Sequence, residues 1–311
     1  MSDVFEMQGL EVRAGSLRVV RGVDLSVAAG ETLGIIGESG SGKTVTCLAM
    51  LRLLPPGLAA TAQTLRYRGQ ELQGMDEARF RPLRGRELAM IVQDPVGAFN
   101  PAKRIAWHLR TTLRRRAAGP WRQRALDLLG EVGIPEPAAV LQRYPHQLSG
   151  GMLQRVLIAG VLGLEPGLVV ADEPTTNLDN IVEQQVLDLF AGLRRRLRSA
   201  FVFITHDITV AARVSDRIAV MYAGEIVESG PARTVLGAPL HPYTQGLIAT
   251  ARALATRTEN LAEIPGQLPP LDALPPGCVF QPRCAHARAG CERPQPLRVR
   301  GACHVRCLLH D

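Results

Sequence analysis

The octapeptide Gly37-Glu38-Ser39-Gly40-Ser41-Gly42-Lys43-Thr44 constrains this chain more than any other stretch. It follows an apolar run, Thr32 to Ile36, and precedes Val45 to Leu51, which reads as a helix ended by Pro55 and Pro56. Strand, glycine-rich turn and helix form the context in which G-x4-G-K-S/T becomes a phosphate site. The loop Gly37, Ser39, Gly40, Ser41 and Gly42 can curl so that several backbone N–H groups point inward, and the new helix adds its positive dipole end. The concavity suits a polyphosphate. Lys43 would reach the β- and γ-phosphates as a point charge, and the Thr44 hydroxyl is placed to ligate Mg²⁺.

A chain of 311 residues with 46% hydrophobic residues can bury a sizeable core, as two domains or as one domain with an appendage. The best candidate for a membrane span, Val156 to Ala171, is broken by Glu165 and Pro166. The start, Met1 to Glu6, lacks the basic and apolar regions of a secretory signal. The expectation is a cytoplasmic chain that does not cross a bilayer. The net charge of +7 admits nucleic acid, anionic lipid or simple solubility. Its densest runs, Arg114 to Arg116 and Arg194 to Arg196, lie in helical-looking segments without interleaved aromatics, so solvated helix faces are expected and nucleic acid is not.

Residues 4 to 36 alternate short apolar runs with turns, a pattern for a small antiparallel sheet leading into the buried strand before the phosphate loop. Leu88 to Val92 reads as another buried strand, ending at Gln93 and Asp94. Taken alone, a strand-end Gln is more often a surface residue; here Gln93 could contact Mg²⁺ or the attacking water. From Val96 to about Val161 the pattern becomes helical, with loops near Gly119 and Pro135. Close to its end, Leu148-Ser149-Gly150-Gly151-Met152 precedes an apolar helix and forms a second anion-binding terminus. One nucleotide does not need two cradles in one subunit. Two subunits facing head to tail would use both. Leu168 to Ala171 is a buried strand ending in Asp172 and Glu173, with Pro174 stopping it. Asp172 would hold Mg²⁺ through water, and Glu173 can polarise the nucleophilic water as general base. Paired acids after a strand can also merely cap it.

In their order and spacing these motifs resemble those of ATP-binding cassette (ABC) ATPases. The resemblance implies an α/β P-loop NTPase fold, with a mixed-sheet core, an antiparallel β subdomain and a helical subdomain at about 96–161. It makes Ser149, Gly150 and Gly151 the signature that meets the partner's ATP, Asp179 a residue of communication between the two ATPases, and His206 the switch histidine that bonds the γ-phosphate and Glu173. Two features depart from the common pattern. No aromatic ring stands near Leu10 to Ala14 to stack on adenine, which leaves Arg13 and its guanidinium plane. Met152 replaces the usual Gln after the signature, a change familiar in peptide and nickel importers.

Residues 1–235 would form the ATPase domain and residues 236–311 an extension, which opens with His241-Pro242-Tyr243-Thr244 and continues through a proline-rich linker, Ile264 to Pro276. Five of the six cysteines lie in the last 34 residues, separated by five, six, eleven and three residues. In a chain read as cytosolic, such clustering points to metal rather than disulfides, and the gaps do not match the paired C-x2-C of a zinc ribbon. The tail resembles that of peptide-importer ATPases. The resemblance implies a [4Fe-4S] cluster on Cys278, Cys284, Cys291 and Cys307, with Cys303 spare, or else with Cys307 spare. Zinc is the main competitor, with Cys303 or His304 as the fourth ligand, and a metal-free thiol cluster is the third alternative. A staple of either kind suits a tail so poor in apolar residues.

The same resemblance implies an ATPase that powers import of di- or oligopeptides. Its partners would be a second, homologous ATPase subunit, two membrane-spanning permease subunits and an extracytoplasmic binding protein, at the cytoplasmic face of the membrane. Residues near Phe99, Asn100 and Pro101 would receive a helix from a membrane subunit. Nickel or metal-chelate import is an alternative, favoured by the Met152 signature. Another is the ATPase of a soluble complex such as the phosphonate-cleaving lyase assembly.

Overall fold

The computed structural model describes residues 3–115, 119–176, 178, 180–197, 199–256 and 264–310. The chain divides into two compact units that do not follow sequence order. One comprises Phe5–Val27, Thr32–Gln73 and Phe203–Asp311, and the other Met1–Val4, Ala28–Glu31 and Gly74–Val202.

The first unit contains the phosphate loop. Strand Asp3–Ala14 pairs antiparallel with Leu58–Thr61, where Glu11 faces Thr61, and with Thr64–Tyr67, where Phe5 faces Tyr67. Strand Thr32–Ile36 is buried along its whole length, as an uninterrupted apolar run requires. It runs parallel to Arg217–Tyr222, with Leu33 opposite Arg217 and Ile36 opposite Val220. Arg217–Tyr222 pairs antiparallel with Glu225–Pro231, which in turn carries Cys303–Val305 and then Arg298–Arg300. The last strands of the chain thus extend the sheet that delivers the phosphate loop.

The core records the same arrangement. Ile36, Val220 and Tyr222 pack in one buried cluster with Tyr243, Val279, Phe280 and Cys303. Tyr243 is fully buried at the head of helix Pro242–Thr256, and its ring lies 4.6 Å from that of Tyr222 and 5.3 Å from that of Phe280. The helix start is braced by Glu228, itself buried, whose carboxylate accepts the N–H groups of Leu240 and His241, both at 2.9 Å. Burial also pushes the His241 imidazole down to about 3, so it sits neutral in the core.

In the second unit, Leu88–Ile91 and Leu168–Asp172 form a parallel pair, in register from Leu88 opposite Leu168 to Ile91 opposite Ala171. Helices Ile105–Leu113, Trp121–Glu131, Pro137–Gln142 and Gly150–Leu162 pack together. Ile105, Leu109 and Leu113 recur every four residues on the buried face of the first, the pattern of an amphipathic helix. The helical stretch anticipated from Val96 opens only at Ile105. Pro95 and Pro101, which lack N–H donors, hold the intervening residues in turns. Helix Asn180–Leu197 follows, and strand Ala200–Thr205 passes from this unit into the first. Among the described residues no helix is long and apolar enough to cross a membrane.

Candidate nucleotide site

The phosphate loop leaves the buried strand at Gly37 and enters helix Lys43–Met50 through Gly42. Gly42 sits at φ 102°, a left-handed conformation that an L side chain resists, and a Cβ there would lie 2.9 Å from the Met221 Cε. At Gly37 an added Cβ would stand 2.1 Å from the Met221 carbonyl oxygen. The neighbouring hairpin closes on the loop, since Gly224 N–H donates to the Ser41 carbonyl at 2.9 Å. Lys43 is buried, and its ammonium donates to the carbonyls of Gly37 and Glu38, both at 2.8 Å. This holds a point charge inside the curl of the loop. Ser39, Gly40 and Thr44 are exposed.

His206 is exposed at the end of strand Ala200–Thr205. Asp207 next to it caps helix Ile208–Val214 by accepting from Thr209 N–H at 2.6 Å. Glu38, His206 and Thr250 line one cleft of about 640 Å³ within this unit. Arg13 is exposed and paired with Glu11 at 3.1 Å, so its guanidinium already has an anionic neighbour.

The acidic residues belong to the other unit. Asp172 is buried at the end of its strand, and Glu173 turns out of it at φ 44°, a conformation costing about 1–3 kcal/mol for a non-glycine residue. Such strain persists where surroundings over-determine it. The Glu173 Oε2 accepts from Gln93 Nε2 at 3.1 Å and from the Thr176 hydroxyl at 2.9 Å. Gln93 and Glu173 are eighty positions apart, and the parallel pairing of their strands brings the two side chains together.

Ser149 caps helix Gly150–Leu162, its hydroxyl accepting from Met152 N–H at 3.3 Å. One turn on, the buried Gln154 donates to the Pro174 carbonyl at 2.8 Å and so ties the signature helix to the loop after Glu173. Asp179 lies outside the described residues. Sequence reasoning missed Thr176, Gln154, Glu38 and Tyr243. Thr176 follows Glu173 by three residues, a spacing at which a hydroxyl can reach back to a turn carboxylate, and that was the one local signal.

None of the six cysteines is in a disulfide. Burial pushes the Cys278 thiol up to about 11, with the Cys291, Cys307 and Cys284 sulfurs adding to the shift and the Phe280 N–H opposing it. Burial likewise raises Cys284 and Cys307; Cys291 adds to both shifts, and the N–H groups of His286 and Leu309 respectively oppose them. Cys303 is also raised by burial, but its charged neighbour is Glu228 and its sulfur packs against Gly230. Cys278, Cys284, Cys291 and Cys307 thus act on one another's thiols, whereas Cys303 packs against Gly230 of the sheet. Among the described residues no three His, Cys, Asp or Glu side chains converge closely enough to hold a single metal ion.

A profile of the family described as "ABC transporter" matches residues 20–176. The chain belongs to the ABC transporter family. A second profile, "Oligopeptide/dipeptide transporter, C-terminal region", matches residues 227–291 of this ABC ATPase. It is 43% identical over 282 residues to the dipeptide transport ATP-binding protein DppD of Escherichia coli K12, covering 90% of this chain and 86% of that one. It is 39% identical over 321 residues to DppD of Bacillus subtilis 168, covering 100% and 96%. A putative peptide import ATP-binding protein of Brucella abortus, BAB2_1052, is 41% identical over 286 residues, covering 91% and 86%. Among solved structures, the dimeric bacterial ABC transporter cassette MJ0796 is similar at a TM-score of 0.66 and 25% identity, covering 74% of this chain and 99% of that one.

Proposed function

We propose that this ABC ATPase powers the import of di- and oligopeptides through a membrane transporter. The observation that carries the reading is the match of residues 227–291 to the oligopeptide/dipeptide transporter C-terminal region. The relatives' names support peptide over nickel as cargo.

In this reading two ATPase chains, this one and a homologous partner, close head to tail on two ATP molecules. Each nucleotide lies between the Gly37–Thr44 loop of one chain and Ser149, Gly150 and Gly151 of the other. Lys43 turns from the loop carbonyls toward the β- and γ-phosphates. Thr44, Gln93 and Asp172 would hold Mg²⁺, which when bound neutralises charge on the β- and γ-phosphate oxygens. Glu173 takes the proton of the attacking water, while Gln93 and Thr176, both donating to Oε2, fix the rotation of its carboxylate. His206 bonds the γ-phosphate, and Asp179 carries the state of one site to the other.

Two permease subunits would receive the motion, with a binding protein delivering peptide from the far side of the membrane. The surface near Phe99 suits such a contact. Phe99 is buried edge-on against His108 at 5.0 Å, and Val96 and Trp107 beside it are 59% and 45% exposed. In proteoliposomes holding the complete transporter, ATP hydrolysis is expected to rise when the binding protein carries a dipeptide. Stimulation by nickel but not by peptide would overturn the assignment of cargo.

We infer that the cysteine quartet holds a [4Fe-4S] cluster rather than one zinc ion. A tetrahedral zinc at about 2.3 Å from each sulfur draws its thiolates together closely. A cubane, whose corners are separate irons, spreads them. Thiols raised by burial need a cation to ionise, and N–H groups aimed at three of the sulfurs are the kind of contact that tunes such clusters. The cluster would staple the tail and take no part in hydrolysis. The purified protein is expected to absorb broadly near ~400 nm and to bleach with dithionite. Cys303→Ser should keep that band and Cys278→Ser should lose it. A colourless protein that releases one zinc would refute the cluster.

A further inference from the structure

The C-terminal extension grips the phosphate loop at Glu38. Arg283 stands at the end of the short turn Gln281–Arg283, next to Cys284, and its side chain is 6% exposed. Its Nη1 donates to Glu38 Oε2 at 2.7 Å and its Nη2 to Glu38 Oε1 at 3.1 Å, a two-point fork. The guanidinium is itself braced: Nε donates to the Pro265 carbonyl at 2.8 Å, and the Tyr222 ring lies 5.8 Å away. Glu38 is engaged at its other polar groups as well. Its N–H donates to the Tyr243 hydroxyl at 2.8 Å, and its carbonyl accepts from Lys43 at 2.8 Å.

This carboxylate belongs to the phosphate cradle itself, one residue after Gly37. A bare anion there would repel a triphosphate. The guanidinium forked onto it comes from a segment 245 positions away, at the rim of the cysteine loop. We propose that Arg283 is a positioning residue for ATP, which acts through Glu38 by neutralising its charge beside the phosphate cradle. The proposal rests on the ATPase reading above. Burial works against the charge on Arg283, but the bonds to Glu38 and Tyr222 outweigh it and hold the guanidinium above its ordinary range.

The test uses the full chain assembled with its partner subunits, reading ATP affinity with a fluorescent ATP analogue and ATP turnover separately. Arg283→Ala is expected to raise both the Kd and the KM for ATP about ten-fold, with kcat almost unchanged. The loss should shrink as salt is raised. Glu38→Gln placed in the Arg283→Ala chain should restore most of the affinity, because the repelling charge is gone. A prop that only shapes the loop would not be rescued in this way. Glu38→Gln alone, which opens no cavity and leaves the Arg283 charge uncompensated, should bind ATP more tightly than the parent, and it keeps the test decisive if Arg283→Ala folds poorly. Unchanged Kd and KM in Arg283→Ala, no rescue in the double variant, or binding by Glu38→Gln alone no tighter than the parent's would overturn the proposal. A parent assembly that neither binds nor hydrolyses ATP would instead remove the ATPase reading beneath it.

Discussion

Replacing Glu173 by Gln is expected to lower ATP turnover by about 10²–10⁴-fold while ATP binding and closure of the ATPase pair survive. The exchange preserves shape. The Gln carbonyl oxygen can accept from Gln93 and from Thr176 as Oε2 does, and the strained backbone at φ 44° is held by the same neighbours. Basicity alone is lost, so the water keeps its proton and the pair stalls closed on ATP. Phosphate release should collapse, while size-exclusion chromatography with Mg²⁺ and ATP should show the variant trapped with its partner subunit. Turnover equal to the parent would end the assignment of Glu173 as base.

Gly37→Ala should act on the opposite step. Its Cβ would stand 2.1 Å from the Met221 carbonyl oxygen and 3.0 Å from the Ser41 hydroxyl. Met221 cannot retreat easily, because its strand pairs with Thr32–Ile36 on one side and Glu225–Pro231 on the other. The loop must shift instead. A displacement of about 1 Å in a positioning element can cost on the order of 10²-fold, and overpacking costs about 1–3 kcal/mol of stability. Nucleotide titration is expected to show affinity down by about 10²-fold, with a lowered melting temperature. Gly119→Ala is the control: no atom of the described residues lies within 4 Å of its added Cβ, so binding should not change. Tight ATP binding by Gly37→Ala would mean that the Met221 carbonyl does not confine the loop.

Much of the site could be read along the chain because its parts are local. A phosphate loop is eight consecutive residues between a strand and a helix, and a strand ending in Asp172 and Glu173 announces its carboxylates by the apolar run before them. The cap at Ser149 is likewise written in its neighbours. The start of the helical region was less legible, since the apolar periodicity near Val96 says nothing of the turns imposed by Pro95 and Pro101.

Residue order alone determined that this chain carries a phosphate loop, paired acids after a buried strand, a second glycine turn and a thiol-rich tail, since each depends on residues a few positions apart. Tertiary structure decided what those parts touch. It set Gln93 and Thr176 on the Glu173 carboxylate, packed Cys303 against Gly230, and brought Arg283 and Tyr243 onto Glu38. Contacts across 80 to 245 positions are fixed by strand order and register, which place distant segments side by side without leaving a mark in either one.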